Sequence, residues 1–381
     1  MLKRIVILLV ILSFLSCHKD ETQLKLPVMR TVIIYMVAGN NLYKNAKQDI
    51  AEMQAISEQI DGNLIVYLDA PENSVDSVPV LFKIQDGNIQ IIKKYKQQNS
   101  ANGIIMEQVI NDAVAIFPAL EYGLVLWSHG TGWLPESVFD SLKKNQKTKQ
   151  RSFGLDNDKE MGLIELSNSL PIKFEFILFD ACLMGNIEVI YQLRNKANYI
   201  IASPTETLVA GFPYTQIIPI LFKKEVNYDD VGKEYVNYYR NQNISILKSA
   251  SLSVINTKYV DILTNFIKMH IANRTIMIDN FAGLQSYEVD NPILYLDLFD
   301  LLNQLITDEN DREQLSQIKT QIILNYKHTD NFLDNLSLEN SSGLSVFVFP
   351  FYNESLLNEY KKTDWYIEAG LLFNRKETTS P

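Results

Sequence analysis

Short continuous apolar runs alternate along the chain with longer segments whose apolar positions recur every three to four residues. The runs at 31–37 (TVIIYMV), 63–69 (NLIVYLD), 124–127 (LVLW), 174–180 (FEFILFD) and 198–203 (NYIIAS) read as strands buried on both faces. Between them, residues 44–60 form a predicted helix with Ala46, Ile50, Met53 and Ile60 on one side, and residues 103–117 form another that Pro118 ends. A further helix is predicted after Gly185. Two alternating runs between residues 78 and 94 flank Asp86-Gly87, the signal of a tight hairpin. From about Thr257 the pattern is largely helical until 343–349 (GLSVFVF), which reads as another strand. Recurring strand, helix and strand predict an α/β fold with a mostly parallel sheet covered by helices on both faces.

Two of these strands deliver a reactive side chain into a turn of small residues. LVLWSHGTGW carries His129, and FILFDACLMGN carries Cys182. The C-terminal ends of parallel strands are where open α/β sheets place their ligand sites, so both side chains are expected on one rim. A free thiol is mostly protonated at neutral pH, and a neighbouring imidazole that takes its proton turns it into a nucleophile. Gly130 and Gly185 follow closely and allow backbone to approach a substrate, and the N–H groups of Gly130 and Cys182 are candidates for an oxyanion hole. A lone cysteine is also commonly a small buried hydrophobe, and a lone histidine a structural group. Spacing alone leaves both readings open.

Composition narrows the classes without choosing a reaction. The 381 residues are long enough for a large core, and 46% hydrophobic with 21% charged residues is ordinary for a globular protein. The formal net charge of −10 makes nucleic acid a poor partner. Lys3 and Arg4 precede an apolar run at 5–15 that is short for a membrane span, and Phe14-Leu15-Ser16-Cys17 closes it. That closing tetrad resembles a bacterial lipobox. It implies a signal peptide at 1–16, a lipidated Cys17 and a polar tether over 17–29, against the alternative of a plain secretory signal. The run from Cys17 to Glu21 resembles a surface-export signal of lipoproteins. Localisation is therefore expected at the cell envelope, on the outer membrane or the cell surface. Of two cysteines, only Cys182 would then carry a thiol, and no intramolecular disulfide is possible.

The runs from Ile34 to Leu42 (IYMVAGNNL), Leu126 to Trp133 (LWSHGTGW), Phe179 to Gly185 (FDACLMG) and Gly343 to Val346 (GLSV) together resemble the clostripain family of cysteine peptidases, relatives of gingipains, legumains and caspases. The resemblance implies a caspase-like α/β/α sandwich over 30–256, a largely helical C-terminal subdomain over 257–381, and His129 with Cys182 as a catalytic dyad. It implies cleavage after Arg or Lys, with Asp180 as an acidic group under the substrate pocket. Asp180 reads equally as the cap of the following helix. The family's glycine, tryptophan and tyrosine motif is replaced here by Gly211-Phe212-Pro213-Tyr214, and Glu206 is the substitute candidate for a second acidic pocket residue. The basic stretch at 141–151 (SLKKNQKTKQR) reads as an exposed loop, and the resemblance makes it a site of self-cleavage near Lys147.

The dyad chemistry needs no cofactor, while calcium enters by resemblance, with Asp156-Asn157-Asp158 as a run that lacks a full ligand set and reads as a turn. No zinc-type ligand spacing occurs. The expected partners are a peptide or protein substrate and a membrane reached through the lipid, and the expected state is a monomer. One rival is a non-catalytic surface lipoprotein that binds peptides or glycans in the same cleft. A second is an esterase using Ser128 or Ser203, although neither lies in a Gly-x-Ser-x-Gly elbow. His270 and His328 read as structural or surface groups.

Overall fold

A computed structural model describes residues 27–134, 153–156, 159–271, 274–281, 283–350 and 353–376. The signal segment, Cys17 and the basic stretch with Lys147 lie outside the described residues. In chain order the strands are β1 (Val28–Val37), β2 (Asn63–Asp69), β3 (Val80–Gln85), β4 (Asn88–Lys94), β5 (Ala119–Trp127), β6 (Phe153–Asp156), β7 (Lys159–Met161), β8 (Phe174–Asp180) and β9 (Ala197–Ala202). They continue with β10 (Ser251–Asn256), β11 (Thr275–Ile278), β12 (Tyr295–Asp297), β13 (Ile323–His328), β14 (Asn331–Phe332), β15 (Leu336–Ser337), β16 (Ser345–Phe349) and β17 (Leu372–Arg375).

The main sheet has nine strands in the order β13-β10-β9-β8-β5-β1-β2-β3-β4. From β9 across to β2 the neighbours are parallel, and the strands added at either edge are antiparallel. The parallel part is the part the apolar runs predicted. Every residue of β2 is buried, as is β1 from Arg30 to Val37, so neither strand can alternate with polar positions. Alternate β1 residues feed opposite cores: Ile33, Tyr35 and Val37 join one, Val32, Ile34 and Met36 the other. Helices Tyr43–Ile56, Tyr214–Leu221 and Tyr228–Arg240 cover the second face, while Gly103–Ile116, Ile187–Leu193 and Val260–His270 cover the first. The fold is the expected α/β/α sandwich around a mostly parallel sheet.

Two expectations change in detail. The helix predicted over 44–60 ends at Ile56, and a single 3-10 turn, Ser57–Gln59, leads out of it. Beyond Thr257 the chain is less helical than its pattern implied. Helices Val260–His270, Leu298–Leu305 and Glu309–Ile322 are interrupted by β11, β12 and β13, and β13 is an edge strand of the main sheet, antiparallel to β10. β12 has three residues and β11 four, too short to show a period. The chain after Thr257 also shares a core with the chain before it, for Leu298, Val346 and Phe347 belong to the same cluster as Tyr35 and Phe179. The hairpin was legible: β3 and β4 meet at Asp86 and Gly87, whose φ values of 51° and 75° suit a two-residue turn.

Candidate active site

Register brings the two reactive residues together. Trp127 of β5 is paired with Asp180 of β8, and the Ser128 N–H continues the ladder to the Asp180 carbonyl at 3.2 Å. His129 and Cys182 follow on adjacent loops at the C-terminal edge of the sheet. The loops touch. A Cβ on Gly130 would come within 2.6 Å of the Cys182 carbonyl oxygen, so only glycine permits this approach. β6 braces the histidine loop from outside, where the Gly154 N–H reaches the His129 carbonyl at 3.2 Å and the Leu155 N–H reaches Ser128 Oγ at 3.3 Å.

The cysteine loop is held tightly. Cys182 is only partly exposed, and its Sγ accepts the Thr207 N–H at 3.3 Å and donates to the Thr207 carbonyl at 3.5 Å. The next residue, Leu183, has φ 61°, a left-handed conformation that costs a non-glycine residue about 1 kcal/mol or more. It persists because the Leu183 N–H bonds the Thr205 carbonyl at 2.9 Å and its side chain is fully buried. Burial pushes the Cys182 thiol up to about 12, and the Glu206 carboxylate adds to the effect. The resting sulfur is therefore a protonated thiol.

Asp180 lies two residues before the sulfur and is buried. Its Oδ2 accepts from Tyr214 Oη at 2.9 Å and from the Phe212 N–H at 3.3 Å. Gly211, at φ 61°, lets that segment close over the carboxylate, since a Cβ there would lie 2.9 Å from Asp180 Oδ2. Burial raises Asp180 to about 6 against the pull of both donors. The capping role does not hold. Asn186 caps helix Ile187–Leu193 by accepting the Val189 N–H at 2.9 Å, because the chain needs several residues after β8 before it can turn into the helix. A second buried carboxyl stands nearby: Asp49 accepts from Trp127 Nε1 at 2.8 Å and is raised to about 8 by burial, then by Asp180.

His129 is partly exposed, and its Nε2 lies 2.8 Å from Asn41 Oδ1 on the turn after β1. The Gly-Thr-Gly-Trp run behind it is a packing anchor. Tyr295 Oη donates to the Thr131 carbonyl at 2.7 Å, and Trp133 packs edge-on against Phe347 of β16 and Tyr360. Residue patterns alone missed Asn41, Thr207, Asp49 and Tyr214. Asn41 and Tyr214 sat inside runs already singled out, but nothing local tells which neighbour a side chain will meet.

The rival nucleophiles are structural. Ser128 Oγ donates to the Val37 carbonyl at 2.9 Å, and Ser203 Oγ lies 3.0 Å from both Thr205 Oγ1 and Ser251 Oγ, with both serines buried. His270 stacks on Phe266 and faces Asp311 at 2.9 Å, and His328 Nδ1 meets the Thr329 carbonyl at 2.9 Å. Among the described residues no cluster of three or more His, Cys, Asp or Glu is placed to hold a metal ion. Asp156 turns inward, accepting the Ser100 N–H at 2.7 Å beside Asp69; Asn157 and Asp158 lie outside the described residues. Among the described residues no helix is long and apolar enough to cross a membrane.

Comparison with known proteins gives the family and the fold. Clostripain of Hathewaya histolytica is 28% identical over 219 residues, which are 49% of this chain and 41% of that protein's length. Among solved structures, an inactive zymogen C11 protease from Parabacteroides distasonis is 28% identical with a TM-score of 0.75, covering 90% of this chain and 98% of that one. A secreted C11 cysteine protease from Bacteroides thetaiotaomicron, in complex with an irreversible peptide inhibitor, is 28% identical with a TM-score of 0.74, covering 90% and 99%. The profile of the clostripain family matches residues 34–366, and with the sandwich, the shared rim and the four motifs in order, the chain belongs to that family of cysteine peptidases.

Proposed function

We propose that this chain is a cysteine endopeptidase with Cys182 as nucleophile and His129 as its base. The pairing of Trp127 with Asp180 carries the reading, because it sets the two side chains on touching loops at the sheet edge where ligands bind. His129 takes the thiol proton as Sγ bonds to the substrate carbonyl carbon, and the N–H groups of Gly130 and Cys182 hold the oxyanion. The carbon–nitrogen bond then breaks while the imidazolium gives its proton to the leaving amine. Water releases the acid product from the thioester and regenerates the thiol.

A basic P1 residue fits the charge around the sulfur. Asp180 lies behind the thiol, and the Glu206 carboxylate is one of the groups that keep it protonated. An arginine or lysine entering beside them offsets that field, so binding the cation and ionising the sulfur favour each other. The peptide inhibitor held by the Bacteroides thetaiotaomicron protease supports a peptide as ligand. The zymogen state of the Parabacteroides distasonis protease supports activation by cleavage, here near Lys147, and the secreted neighbour supports export, to which the lipobox-like tetrad adds a lipid on Cys17. No step is routed through calcium.

The rival reading, peptide binding without cleavage, draws on the protonated thiol and its two contacts with Thr207. Fluorogenic peptides with Arg, Lys or a neutral residue at P1 separate the two. Cys182→Ala and His129→Ala are each expected to lose at least about a thousandfold in kcat. Equal turnover by wild type and Cys182→Ala would sink the peptidase reading. Intact-mass measurement of an active preparation tests processing, and a single uncut chain would refute it.

A further inference from the structure

The turn after β1 carries two adjacent asparagines with different work. Asn40 folds the turn: its Nδ2 donates to the Val37 carbonyl at 3.0 Å and to the Leu155 carbonyl at 2.8 Å, while its Oδ1 accepts the Leu42 N–H at 2.8 Å. Asn41 makes none of these bonds. Nor does it cap the helix Tyr43–Ile56, whose first residues have no side-chain cap. Its Oδ1 instead lies 2.8 Å from His129 Nε2, across the mouth of the cleft.

We propose that Asn41 is the positioning residue of the catalytic histidine, accepting the Nε2–H so that Nδ1 carries the lone pair that takes the Cys182 proton. This rests on the dyad reading above. A neutral imidazole has one donor and one acceptor nitrogen, and the hydrogen bond at one fixes the tautomer at the other. An amide oxygen at Nε2 therefore selects the tautomer that the thiol needs and steadies the imidazolium that forms. The turn is well anchored for this purpose. The Ala38 N–H bonds the Asp69 carbonyl at 2.8 Å, and Asn45 Nδ2 reaches the Val209 carbonyl at 3.0 Å, tying the same helix to the segment that clasps the sulfur. Because Asn41 is exposed, the bond strengthens when a bound peptide excludes water from it.

The test uses the full chain and a fluorogenic peptide with a basic P1 residue. Asn41→Ala is expected to lower kcat at least about tenfold to a hundredfold, the range known for removing the partner that orients a metal-ligating histidine. KM and the melting temperature should stay close to wild type. Asn41→Asp should recover most of kcat and move the acidic limb of the kcat/KM profile to higher pH, because a carboxylate stabilises the imidazolium. Wild-type kcat and pH profile in Asn41→Ala, or a loss confined to KM, would overturn the proposal. Failure to recover in Asn41→Asp would also overturn it, since the amide would then be acting through its NH2. Cys182→Ala and His129→Ala run alongside. If they remain active the dyad itself has failed, whereas their inactivity beside an unaffected Asn41→Ala removes only the asparagine.

Discussion

On the cysteine side of the cleft the polar groups are enclosed and paired. Asp180 is held by Tyr214 and Phe212, Thr207 contacts the sulfur twice, and Leu183 is kept in a left-handed conformation by the Thr205 carbonyl. On the histidine side the ring is partly exposed and meets an exposed asparagine. The difference follows from what each group must do. A nucleophile has to sit at one place relative to the oxyanion donors, which close packing provides. A base has to gain and lose a proton, which is easier where water and a polar partner can stabilise both charge states. Changes on the cysteine side should therefore cost stability together with activity, and changes at His129 and its partner Asn41 should cost rate alone.

Asp180→Ala tests the first half most severely. It leaves the Tyr214 hydroxyl and the Phe212 N–H buried without their acceptor, and about 3 kcal/mol of unfolding free energy should be lost in urea titration. Asp180→Asn keeps an acceptor and removes the charge, so it should spare most of that stability while lowering kcat/KM for Arg and Lys peptides against a neutral P1. Unchanged relative preference in Asp180→Asn would place the basic pocket elsewhere. Gly211→Ala adds a Cβ 2.9 Å from Asp180 Oδ2 at a left-handed backbone position, and about 2 kcal/mol should go with it, read as a lowered melting temperature.

pH sharpens the contrast further. Asp180 is raised to about 6, so selectivity for a cationic over a neutral P1 should rise as pH climbs through 6 and the carboxylate ionises. Stability should move the opposite way. Asp49 and Asp69 are raised to about 8 and Glu188 to about 7, all chiefly by burial. Between the ordinary carboxyl range and those values the native chain holds protons that the unfolded chain has released, so stability falls as pH rises across that window. Melting temperatures that increase steadily from pH 5 to pH 9 would contradict this. The smallest effect is expected at Asn40→Ala, which loosens the turn by about 1 kcal/mol and leaves the acidic limb of the activity profile in place.

The parallel heart of the sheet and the rim residues were readable because their signals are local. A strand buried on both faces must be apolar throughout, and His129 and Cys182 each follow such a strand directly. The Asp86-Gly87 hairpin was readable because two positive φ values admit few residue types. The edge strand β13 was hidden. Its residues ILNYKH are half-buried and mixed, and the strand exists because β10 offers a free edge to pair with. Asp180 shows the same limit at the site. An aspartate ending a strand looks like a helix cap, and only the return of the chain at Phe212 and Tyr214, over thirty residues later, turned it into the acceptor of a buried network.

What the chain determines by itself is therefore the alternation that builds the sandwich and the two small-residue turns that carry sulfur and imidazole, since hydrophobic period and turn chemistry act within a few residues. Tertiary structure alone decided that Gly130 touches the Cys182 backbone, that Thr207 contacts the sulfur, and that Asn41 meets His129. Those contacts join segments distant in sequence, and the burial that sets their charge states arises only when the helices close over both faces of the sheet.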